Sequence, residues 1–110
     1  MPDANTALIA ALNDRARQGK DHCRIMLTRG VLACDPITVA ELMIAVEDFD
    51  AFTPDNDPYG EHDFGAITLE GITFFWKMDY WDSDMQMHSL DPSDTNVTTR
   101  VLTIMLADEY

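Results

Sequence analysis

Basic residues are what this chain has least of. Seven lysines and arginines stand against 20 aspartates and glutamates, a formal charge of −13. Beyond Gly30 only Lys77 and Arg100 oppose 17 carboxylates, so that stretch carries −15, whereas the first 29 residues carry +2. A surface so short of cations repels nucleic acid and phospholipid and draws basic protein surfaces from a distance. Direct nucleic-acid and membrane binding are therefore the first function classes to fall away. Long apolar runs are missing too: none approaches the ~20 residues of a membrane span, and no basic stretch followed by an apolar one opens the chain. A cytoplasmic location is the expectation. Cysteine is scarce, and in that compartment Cys23 and Cys34 are expected to stay reduced rather than paired, while Asn96-Val97-Thr98 is a glycosylation sequon only in form. There is no internal repeat and no low-complexity tract.

What is present argues for a folded core. Apolar residues make up 46% of the chain, with two tryptophans and five phenylalanines, and 110 residues suit a single domain spanning 1–110. Thr6 can cap a first helix running to about Gln18, with Leu8, Ile9, Leu12 and Ala16 at helical spacing and Gly19 at its end. Residues 23–28 alternate as a half-buried strand, closed by a turn at Arg29-Gly30. Thr38 to Glu41 has the form of a capping box, which predicts a second helix over about 39–48 with Val39, Leu42, Met43 and Val46 as its stripe. Glu47, Asp48 and Asp50 crowd the end of that helix, where its dipole disfavours negative charge.

Two prolines, a glycine and several acids make 52–63 a stiff loop. Glu70-Gly71 then separates two strand-like runs by two residues, the spacing of a tight hairpin. The implied register sets Leu69 against Ile72, Ile67 against Phe74, Gly65 against Trp76 and Asp63 against Met78 on one face. On the other it sets Ala66 against Phe75, Phe64 against Lys77 and His62 against Asp79. After a second acidic loop from Ser83 to Asp94, Asp91 or Asp94 can cap a final helix over 95–109 carrying Val97, Val101, Ile104 and Met105. The threonines there leave a strand as the other reading. The expected class is α+β: a small antiparallel sheet, hairpin 64–69/72–81 plus strand 23–28, packed with about three helices.

Three blocks carry a resemblance. Phe52-Thr-Pro-Asp-Asn-Asp-Pro-Tyr-Gly-Glu-His-Asp-Phe-Gly65, Phe74-Phe-Trp-Lys-Met-Asp-Tyr80 and Thr99-Arg-Val-Leu-Thr-Ile-Met-Leu-Ala-Asp-Glu-Tyr110 resemble a bacterial family known only as domain of unknown function 3768, over roughly residues 5–110. The resemblance implies a small, single-domain bacterial protein, of a kind carried on plasmids and other mobile DNA. It brings no activity, cofactor or catalytic residue with it.

Several chemistries compete for the acidic residues. Asp55-Asn-Asp57-Pro-Tyr59-Gly60 starts like a calcium loop, but Tyr59 and Ala66 stand where oxygen ligands belong, and Asp55 and Asp57 suit turn capping instead. His62 beside Asp79, with Glu61 and Asp63, is half of an acid–base site and the core of an alternative reading as a small metal-dependent enzyme; no nucleophile motif accompanies it. Zinc is disfavoured because His22 and Cys23 point to opposite faces of a strand, and no cofactor is expected.

The favoured reading is a non-catalytic acidic surface for a basic partner, formed by Asp55, Asp57, Tyr59, Glu61, Asp63, Tyr80, Trp81, Asp82 and Asp84, with the aromatics as anchors. In extended backbone Asp55/Asp57 and Asp82/Asp84 would each place carboxylates ~6.7 Å apart, near twice the ~3.4 Å phosphate rise of one DNA strand. That match suggests a nucleic-acid mimic occupying the basic groove of a DNA- or RNA-handling protein, an inhibitor of the anti-restriction or anti-CRISPR type. A solvated acidic face, or an adaptor domain, is the plainer alternative.

Overall fold

The structure, a computed structural model, describes residues 3–110. Helix α1 spans Ala4–Arg17 and is capped by Asp3, whose Oδ1 accepts from the Thr6 amide at 2.7 Å, so the cap lies three residues before the expected one. That hydrogen bond also holds the Asp3 carboxyl below its usual range. Gly19, in the left-handed region at φ 79°, releases the chain toward strand β1, Arg24–Leu27. Where a turn was expected at Arg29-Gly30, a one-turn helix α2 runs over Arg29–Leu32. Helix α3, Pro36–Glu47, starts three residues before the expected position because Asp35 caps it through Ile37 N at 2.8 Å and Pro36 occupies its first turn.

Strands β2, Phe64–Leu69, and β3, Ile72–Trp81, form the expected hairpin, with Phe64 opposite Lys77, Gly65 opposite Trp76 and Leu69 opposite Ile72. Glu70 and Gly71 both have positive φ, 51° and 79°, which is what a two-residue turn between right-twisted strands requires. The last strand is β4, Thr99–Leu106, where a helix was expected over 95–109 with a strand as the other reading. It lies between β3 and β1 and is buried on both sides, so its apolar residues do not alternate, and the helical spacing of Val97, Val101, Ile104 and Met105 is accidental. Asp91 and Asp94 cap turns instead, accepting from Ser93 N and Asn96 N.

The sheet order is β1-β4-β3-β2, antiparallel except where β1 runs parallel to β4. The α+β class holds, with a mixed sheet in place of the antiparallel one expected. One sheet face carries Phe74, Trp76 and Met78 of β3 with Leu102 and Ile104 of β4, and it packs on Leu42 and Val46 of α3, Ile9 and Ala16 of α1 and Val31 of α2. Gly65 is glycine because Trp76 lies across it: a Cβ there would enter the indole ring's van der Waals shell. The C-terminal turn, Ala107–Glu109, clips the β1–α2 junction, since Glu109 accepts from the Thr28 hydroxyl at 2.6 Å and Gly30 N at 2.9 Å. Cys23 and Cys34 are both free thiols. Among the described residues no helix is long and apolar enough to cross a membrane.

Candidate functional site

Polar residues sit where helix α1 meets the sheet, on a stripe that apolar side chains would ordinarily fill. Asn13 is fully buried, and its carboxamide is saturated: Nδ2 donates to the Tyr80 hydroxyl at 2.7 Å and to the Glu61 carbonyl at 2.9 Å, while Oδ1 accepts from Arg100 Nε at 2.6 Å. The Tyr80 hydroxyl donates in turn to Glu61 Oε1 at 2.9 Å. Burial, reinforced by the Glu61 carboxylate, pushes the phenol far above its usual range, so it stays a donor.

One helical turn on, Arg17 is also buried. Its Nη1 donates to the Val46 and Glu47 carbonyls at 2.9 and 3.2 Å, the positively charged group that the acid-crowded end of α3 needs. Its Nη2 meets Asp14 Oδ1 at 2.8 Å, and its guanidinium lies 5.1 Å from the Trp76 ring and 5.6 Å from the Phe52 ring. Asp14 also holds His62 Nδ1 at 3.0 Å, and the His62 ring stacks on Phe52 with centroids 3.9 Å apart. The 52–63 loop is thereby pinned to α1 at both its ends.

This geometry corrects the pairing of His62 with Asp79. The β2–β3 ladder stops at Phe64, with one further bond from Met78 N to the Asp63 carbonyl at 2.8 Å. At His62 the backbone turns into the left-handed region, φ 56°, and swings the ring to α1. Asp79 meets Lys77 instead, at 3.2 Å. His62 Nε2 lies 3.7 Å from Asp57 Oδ2, so each ring nitrogen faces a carboxylate, an arrangement suited to pinning the loop.

The residues expected to meet a partner divide into outward and inward groups. Asp55 and Asp84 are exposed, and Tyr59 is 81% exposed at the loop tip. Asp57 turns inward, its side chain 6% exposed, and accepts from His62 N at 3.2 Å. Tyr80, at 7%, belongs to the core and the polar web, so it cannot act as a surface anchor. Trp81 and Asp82 are half-buried; Trp81 bridges to His88, and Asp82 caps a turn through Gln86 N at 3.0 Å.

Asp55 and Asp57, like Asp82 and Asp84, sit in or beside turns, not in extended backbone, which removes the basis for the phosphate-spacing match. The loop satisfies its own backbone: Asn56 accepts from Thr53 N and donates to the Ala51 carbonyl, both at 2.8 Å. An open cleft of about 510 Å³ lies against it, lined by Phe52, Thr53, Asp57, Pro58, Tyr59 and His62 among others.

Carboxylates gather at this end. The Asp63 carboxyl is raised above its usual range, first by burial and then by Glu61, with Asp57 and Asp79 adding to it. Among the described residues no three histidines, cysteines, aspartates or glutamates converge as a set that could hold a metal ion.

Asn13, Asp14, Arg17, Phe52 and Arg100 were not legible as site residues. A signal existed for two of them: Ile9, Asn13, Ala16 and Arg17 share a helical stripe, whereas Leu8, assigned to the core, is largely exposed.

Fold and site together define a small α+β protein with an acidic, loop-built end anchored on a buried polar web. Residues 27–109 match the model of the family described as protein of unknown function (DUF3768), and the chain belongs to that family. No curated protein and no solved structure matches it.

Proposed function

We propose that this protein is a non-catalytic binder of a basic protein surface, and that the partner docks on the end of the sheet flanked by the 52–63 and 82–94 loops. The observation that carries this reading is the gathering of carboxylates at this end: Asp55 and Asp84 face solvent, and Glu61, Asp57 and Asp79 lie close enough to add to the effect of burial on Asp63. Like charges held together oppose folding, and a partner's lysines or arginines relieve the repulsion on contact. Exposed Asp55 and Asp84 carry the field outward, and Tyr59 stands beside them as an amphipathic anchor of the kind interface hot spots favour.

In its concrete form the partner is a nucleic-acid-handling protein whose basic groove the acidic face occupies as a nucleic-acid mimic, an inhibitor of the anti-restriction or anti-CRISPR type carried on mobile DNA and acting in the cytoplasm. The support for that form is the sign and density of charge.

Capture of binding proteins from a bacterial lysate, at low salt and at ~0.5 M salt where exposed charges are screened over a few ångströms, tests it. The expected result is capture of basic, nucleic-acid-handling proteins at low salt, loss at high salt, and loss at low salt for a variant combining Asp55→Lys, Asp82→Lys and Asp84→Lys. Capture of nothing at either salt, or capture indifferent to the triple variant, overturns the reading.

A further inference from the structure

A second cleft, of about 440 Å³, lies on the other side of the polar web, between α1 and the start of β4. Arg100 lines it. Only 5% of this residue is exposed, yet among the described residues no carboxylate comes within ion-pair distance of it. Its Nε is spent on the neutral Asn13 carboxamide and its Nη2 on the Pro92 carbonyl, each at 2.6 Å, while Nη1 has no acceptor among the described residues. A guanidinium this enclosed is ordinarily matched by a carboxylate, whereas here Nη1 is left to the cleft. In a chain with 20 acids the absence of that carboxylate is informative. Burial depresses the Arg100 pKa even though Asp21 and Glu61 act on it from beyond ion-pair distance.

The rest of the lining suits an anion. His22 is exposed, and it and the Thr95 and Thr99 hydroxyls make no hydrogen bond among the described residues, so all three are free to meet a ligand. The Thr98 hydroxyl is spent on Ser89 and the Asp91 carbonyl at 2.7 and 2.8 Å, which stiffens the wall. Asp21 is the acid at this cleft; its two oxygens accept from Arg15 Nε and Nη2 at 2.8 and 3.2 Å, and it also acts on Arg100 from beyond ion-pair distance. Leu12 and Ala16 supply an apolar wall, and the volume is that of a small-molecule site.

We propose that this cleft binds a small molecule bearing an oxyanion, a carboxylate or a phosphate, with the oxyanion on Arg100 Nη1 and the Thr95 and Thr99 hydroxyls, His22 beside it, and the apolar part against Leu12 and Ala16. This site shares no lining residue with the cleft at the 52–63 loop, and its occupancy does not depend on a protein partner.

The test is an amide and imidazole NMR titration of the full chain with inorganic phosphate and, separately, succinate, each to about 10 mM at constant ionic strength against chloride, a range that reaches millimolar dissociation constants. Saturable shifts confined to His22, Thr95, Thr98, Thr99 and Arg100 are expected. Saturation by phosphate alone identifies a phosphoryl ligand and by succinate alone a carboxylate ligand; both support the site.

Arg100→Gln should abolish the shifts. Because that variant disturbs the buried web, the double variant His22→Ala/Thr99→Val, which alters no hydrogen bond within the protein, is the companion: it should weaken binding about tenfold with the urea midpoint unchanged. Saturation by neither anion, or equal binding in the double variant, overturns the proposal.

Discussion

Asn13 and Asp14 are neighbours on helix α1, and each receives a different buried arginine. Asp14 meets Arg17 with a full negative charge, and the Arg17 side is closed: two carbonyls of α3, two aromatic rings and the His62–Phe52 stack surround the pair. Asn13 meets Arg100 with a neutral oxygen, and the Arg100 side is open: a carbonyl, the Tyr80 ring at 5.3 Å and a cleft. The side-chain acceptors differ in charge, a carboxylate for Arg17 and a carboxamide for Arg100. That difference teaches where the molecule meets an arginine with a carboxylate of its own and where it does not, although Arg17 Nε itself is buried without an acceptor. The closed side holds a loop in place; the open side has chemistry to spare.

Removing each arginine breaks the comparison in turn. Arg17→Met leaves two helix-end carbonyls and the Asp14 carboxylate, whose side chain is 31% exposed, without their donor, and it should cost about 3 kcal/mol, the low end of the range for breaking a buried pair. Urea denaturation reads it directly, and loss of the His62 ring shifts that mark the Phe52 stack should accompany it. Arg100→Met orphans the Asn13 oxygen and the Pro92 carbonyl but also removes an uncompensated buried charge. Its cost should be smaller, about 1–3 kcal/mol, by the same measurement. Equal losses in the two variants would mean that the Arg100 charge is already neutralised within the fold.

The smallest effect sharpens the contrast from the acidic end. The Asp63 carboxyl is raised in the folded protein, so the native state binds its proton more tightly than the unfolded chain does. Its contribution to stability is therefore fully present below the unfolded value of 3.8 and is lost as pH rises through the higher folded value. Asp63→Asn should raise the urea midpoint at neutral pH and leave it nearly unchanged at pH below that value. A midpoint that falls at neutral pH would show that the carboxylate is held by a favourable contact rather than crowded.

The hairpin was readable because its information is local: Glu70-Gly71 admits one turn geometry, and period-two alternation then sets every pair from Phe64–Lys77 to Leu69–Ile72. Where the ladder stops is not local. Extending the register to His62 and Asp79 assumed that the strand continues, and a positive φ at His62 ended it, for a reason that lies in α1, namely Asp14. For the final strand the sequence favours a helix and leaves a strand as the other reading, because a strand enclosed on both faces loses its alternation and four apolar residues then fall at helical spacing. The start of α3 is written in Asp35-Pro36, a cap followed by a first-turn proline, and not in the Thr38–Glu41 box three residues on.

The site divides along the same line. The acidic loops and their aromatics were visible as composition, and Asp55, Asp84 and Tyr59 are indeed at the surface. Asp57 and Tyr80 were indistinguishable from them by type, and only packing shows that they point inward.

The sequence by itself determined the charge asymmetry, the hairpin and its register, the two long helices and the α+β class, because each follows from residue type, nearest-neighbour turn chemistry or a repeating period along the chain. Only the tertiary structure decided that β4 runs between β1 and β3, that Asn13 ties Arg100, Tyr80 and Glu61 together, and that Arg17 has a carboxylate while Arg100 has none. These depend on which residues far apart in the chain share a low-dielectric space, where one oxygen's charge state changes the balance and no spacing along the chain records it.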